Sequence, residues 1–205
     1  MKKELLASST ELVADIAEVG FDTILSDGLL KDIPVLGIAV RLATVVLGVR
    51  DALFLRKVAT FIKEVETGAE EDQARKDFKS VLSENSSEAK RVGETLLLIL
   101  DRFNDFEKPT ILAKVFLAFL SKKITFQEFR RLAAAIDAVF VEDLRNLVAY
   151  GDGMNDLSAL LPSGLSTISQ TGTTADTLGG PVIYHPIILT ELGKLCLSIL
   201  SQSRQ

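Results

Sequence analysis

One cysteine and one histidine are all that 205 residues supply of the softer metal ligands. A disulfide framework needs paired cysteines and a Cys/His zinc site needs several such ligands, so both are excluded. Surplus positive charge is missing too. Lys plus Arg number 23 against 28 Asp plus Glu, a net charge of −5, which gives a poor hold on nucleic-acid phosphates. There is no G-x-x-x-x-G-K phosphate loop and no G-x-S-x-G nucleophile elbow. No internal repeat is visible. What remains is ordinary globular material, 47 % hydrophobic and 25 % charged, of a length for one domain with at most a small appendage.

The compartment follows from the first residues. Met1-Lys2-Lys3 resembles the start of a signal peptide, but Glu4, Glu11 and Asp15 interrupt any apolar core and no small-residue cleavage site follows. The expected home is the cytoplasm. One long apolar run, Ile33 to Val49, is broken only by Arg41. At roughly 1.5 Å per residue its 17 positions reach about 25 Å, short of the ~30 Å hydrocarbon core of a bilayer. It reads first as a helix buried on all sides in a bundle, and second as a segment that lies on or enters the inner membrane.

Periodicity makes the first 150 residues helical. Ser8 to Thr10 cap an amphipathic stretch through Phe21, and Asp32 with Pro34 opens the apolar helix. On that helix Gly37, Arg41, Thr44 and Gly48 share one stripe, the pattern of a close-packing or interaction face. From Asp51, Leu55, Val58, Phe61, Ile62 and Val65 fall at helical spacing with Arg56, Lys57 and Lys63 between them, and Gly68 ends the run. A charged peripheral helix is expected over 69–82. Helices from about Glu88 and from Pro109 form an antiparallel hairpin across Asn104–Lys108. Thr125 and Glu128 make a capping box that opens one long helix through Leu132, Ile136, Phe140, Leu144 and Leu147. The phenylalanines are read as core.

Composition changes after Tyr150 to Gly, Ser and Thr with β-branched pieces at Ser166–Ser169 and Val182–Tyr184, followed by a helix carrying Leu192, Cys196 and Ile199. The boundaries expected are therefore 1–150 for a helical bundle and 151–205 for a small α+β unit. The order helix, strand, Gly/Thr loop, strand, then Leu189-Thr190-Glu191-Leu192-Gly193 opening a helix resembles the second half of winged-helix domains. Such a unit implies protein or DNA binding. From Gly151 onward, however, only Lys194 and Arg204 stand against Asp152, Asp156, Asp176 and Glu191, so DNA binding is not expected.

The string Gly151-Asp152-Gly153-Met154-Asn155-Asp156 resembles the fourth motif of haloacid-dehalogenase phosphatases, which would make Asp152 and Asp156 Mg²⁺ ligands. That chemistry also needs two aspartates separated by one residue upstream, and this chain has no such pair. The string is read instead as a tight loop in which Asp156 caps a short helix. His185 is read as packed or hydrogen-bonded, Cys196 as a small buried hydrophobe, and Asp101 with Asp105 as a solvated helix end. No catalytic, cofactor or metal residue is expected. The plan as a whole, with Lys31–Gly37 and Arg50–Phe54, loosely resembles helical proteins of bacteria and prophages, some associated with phage defence. That resemblance implies a non-enzymatic accessory or effector that binds a protein partner or a second copy of itself. A membrane-active effector inserting residues 33–62 is the alternative, and a winged-helix transcriptional regulator stands behind it.

Overall fold

A computed structural model describes residues 49–68, 86–169, 172–175 and 181–202. The capped stretch Ser8–Phe21, the apolar run Ile33–Gly48 and the expected helix over 69–82 lie outside the described residues. The described chain is mainly helical. By contact it divides inside a helix, between Phe129 and Arg130. The composition change after Tyr150 marks the end of a helix in the second unit.

In the first unit, α1 (Val49–Gly68), α2 (Ser86–Arg102) and α3 (Lys108–Leu120) pack with α1 chiefly against α3. The spacing of Leu55, Val58, Phe61, Ile62 and Val65 puts all five on one face, and all five are buried. Helix α3 is the central element, buried over most of its circumference, which matches its nearly uninterrupted apolar sequence. Its Pro109 sits in the first turn, where a missing N–H costs nothing. Phe61, Phe116, Phe119 and Phe129 fill the interior, with ring centroids 5.4 Å apart for Phe61–Phe116, 5.7 Å for Phe116–Phe129 and 5.6 Å for Phe119–Phe129. Each tilted or offset ring pair adds about 0.5–1.5 kcal/mol to its area burial.

Lys57, which falls between the apolar positions of α1, is itself buried. Only 8 % of it is exposed, and its ammonium donates to the main-chain oxygens of Asp101 at 3.0 Å and Phe103 at 2.8 Å. Carbonyls at a helix C-terminus have no partner within the helix and carry the negative end of its dipole, so a cation there satisfies both needs. The four-carbon stem of Lys57 lets one residue serve the apolar face and the α2 terminus together. Arg56 lies 4.6 Å from the Phe106 ring centroid, which leaves Phe106 partly exposed and outside the core.

The capping box forms as expected. Thr125 N and Oγ1 donate to the Glu128 carboxylate at 2.7 and 2.8 Å, and Glu128 N donates back to Thr125 Oγ1 at 3.2 Å. The helix it opens is not continuous through Leu147. Helix α4 (Phe126–Ala138) stops, Phe140 takes an extended backbone (φ −71°, ψ 148°), and α5 (Val141–Tyr150) begins. Glu142 and Asp143 in its first turn suit the positive end of a new helix dipole. The break turns Phe140 outward, 74 % exposed, against its assignment to the core.

The second unit continues with a 3-10 turn (Gly151–Gly153), a 3-10 helix (Leu157–Ser163), strands β1 (Ser166–Ile168), β2 (Gly172–Ala175), β3 (Pro181–Tyr184) and β4 (Ile187–Leu189), and α6 (Glu191–Ser201). Strand β1 pairs antiparallel with β4, and β2 with β3, in two two-stranded ladders. Partner numbers total 355 in the inner, β1–β4 ladder and 356 in the outer one, so three residues lie between β1 and β2 and two between β3 and β4. Strands β2 and β4 add to the two β-branched pieces legible in the sequence.

Thr190 and Gly193 account for the Leu189–Gly193 phrase. Thr190 Oγ1 accepts from Gly193 N at 3.1 Å, an N-cap worth about 1 kcal/mol, and donates to Gly164 O at 2.7 Å. Thr190 N donates to Leu165 O at 2.9 Å, closing the ladder. A Cβ at Gly193 would overlap that same Leu165 carbonyl, so the start of α6 lies directly on the start of β1.

Candidate functional site

The Gly151–Asp156 string is a helix terminus and a cap. Gly151 ends α5 at φ +56°, with its N–H donated to Leu147 O, and a Cβ there would reach the Leu197 side chain. Met154 turns inward, its N–H donating to Gly151 O at 3.2 Å. The Asp156 carboxylate accepts from Ser158 N at 3.0 Å and from Ser158 Oγ. The Ser158 hydroxyl, then its backbone N–H, hold that carboxyl below the usual carboxylate range. The Lys194 ammonium is held above its ordinary value first by the hydrogen bond it donates to Glu191 and then by the charges of Glu191 and, last, Asp152. The Asp156 carboxylate is thus taken up by the cap at Ser158. Among the described residues, no group of three His, Cys, Asp or Glu could hold a metal ion.

Gly37, Arg41, Thr44 and Gly48, the expected interaction stripe, lie outside the described residues. His185 is exposed, which removes the packed alternative of its reading. It sits in the short step between β3 and β4, where an isolated two-stranded ribbon has no layer to bury it. Asp101 is a solvated helix end as expected, with Arg50 at 3.5 Å, and the Asp105 carboxylate accepts from Glu107 N at 2.7 Å.

Cys196 is fully buried on the inner face of α6 beside Ile199 and Leu200. Burial pushes its thiol up from an ordinary 9.0 to about 12. The folded chain therefore holds this proton at a pH where the unfolded chain releases it. Below about pH 9 the group contributes no pH dependence, and between about 9 and about 12 it lowers stability as pH rises. Urea denaturation at rising pH is expected to show a steeper alkaline loss for the native sequence than for Cys196→Ala. Identical pH profiles would show that Cys196 ionises freely in the folded state.

Large apolar side chains are left on the surface of the second unit. Phe140 is 74 % exposed at the head of α5, Tyr150 is 66 % exposed at its end, and Ile168 and Ile188 stand out on the inner ladder. Sequence reasoning missed Phe140, because its spacing continues the α4 pattern. The acidic pair Glu142–Asp143 was the available signal for a new helix start. The solvent face of α4 is made by Gln127, Arg130, Arg131, Ala134 and Ala138, all exposed.

No family model, no curated protein and no solved structure matches this chain.

Proposed function

We propose that this chain is a non-enzymatic helical interaction protein that binds a protein partner or a second copy of itself, as an accessory or effector in bacterial defence or stress. The observation that carries the reading is the exposure of Phe140 and Tyr150 at the two ends of α5 in the second unit. Aromatic side chains of this size are enriched in protein interfaces. The fate of the potentially reactive groups supports it as well. Cys196 is buried with a raised pKa, and Asp156 is spent on a cap.

The second unit is read as winged-helix-like. Support comes from the order α4, α5, 3-10 helix, β1, the β2–β3 ladder, β4 and α6, and from the Thr190–Gly193 cap that closes the β1–β4 ladder onto α6. The helix preceding β1 carries no cation in Leu157–Ser163, so the unit is read as a protein binder in place of a DNA reader. Insertion of residues 33–62 into a bilayer would have to withdraw Phe61 and Ile62 from the core and Lys57 from two carbonyls. Among the described residues, no helix is long and apolar enough to cross a membrane.

Flotation with anionic liposomes, run beside sedimentation without lipid over a wide concentration range, tests the reading. The expected outcome is protein that stays with the aqueous fraction and whose state of association changes on Phe140→Ser or Tyr150→Ser. Salt-sensitive flotation would establish the membrane alternative instead.

A further inference from the structure

We draw no further inference here: the strongest candidate, the surface of the two-stranded β1–β4 ladder in the second unit where Ile168 and Ile188 are exposed, is unpartnered apolar area, and nothing in the structure shows what covers it.

Discussion

Phe116→Ala should cost the first unit about 3–5 kcal/mol, among the larger effects a single substitution can have. The ring is fully buried and touches three others, those of Phe61, Phe119 and Phe129. Removing it forfeits the transfer energy of the ring, all three pair interactions and the contacts across the cavity left behind. Helix α3 is held on several sides at once, so the neighbours cannot close onto the gap by moving one element. Phe106→Ala provides the comparison, because that ring is partly exposed and its main engagement is with Arg56. An exposed cation–π contact is worth about 0.5–1 kcal/mol. Urea denaturation followed by circular dichroism should separate the two variants clearly. Equal losses would show that the phenylalanine cluster is not the organising core of α1 and α3.

Gly193→Ala should be nearly as severe in the second unit, against the expectation from helix propensity. Alanine in a helix is ordinarily favoured over glycine by about 1 kcal/mol. Here the added methyl would occupy the space of the Leu165 carbonyl, which also accepts the hydrogen bond from Thr190 N. Backbone cannot rotate away as a side chain can, so α6 must lift from β1. Overpacking of about 1–3 kcal/mol is joined by about 1 kcal/mol for each hydrogen bond lost. The same displacement would open the face that covers Cys196. A thiol reagent at neutral pH should therefore label Gly193→Ala much faster than the native chain, with Thr190→Ser staying near native. A Gly193→Ala variant as stable and as slowly labelled as the parent would refute the close approach.

These cases show which parts of the fold were legible in the residues alone. Helices α1, α2 and α3 announce themselves because each buries a face through regular spacing, and periodicity is a local property. The capping box at Thr125 and Glu128 is legible for the same reason, as is the Asp156 cap. Long-range partners are not. Nothing in the order of residues says that Lys57 will reach the carbonyls of Asp101 and Phe103, more than forty positions away. A lysine between apolar neighbours reads as solvent-facing until its stem is seen to span the packed interface. The α4–α5 break was hidden by the opposite effect, since Ile136, Phe140 and Leu144 follow at spacings of four across it. Only the acids at positions 142 and 143 hint at a second helix start.

The candidate surface was legible in part. The acidic balance from Gly151 onward turned the reading away from the unit's strands as phosphate contacts. The aromatic part of the surface depended on Phe140, whose exposure is a consequence of the helix break. The stripe Gly37, Arg41, Thr44 and Gly48 stands as a sequence expectation beside it.

The two ladders have a consequence for how the protein can change over time. The inner ladder is tied to α6 through Thr190 and Leu165, while the outer ladder is offset from it by one in its partner count. Three residues separate β1 from β2, and two separate β3 from β4. The two ladders keep separate counts, so a change of length in β2 and β3 need not carry its register into the ladder that closes on α6.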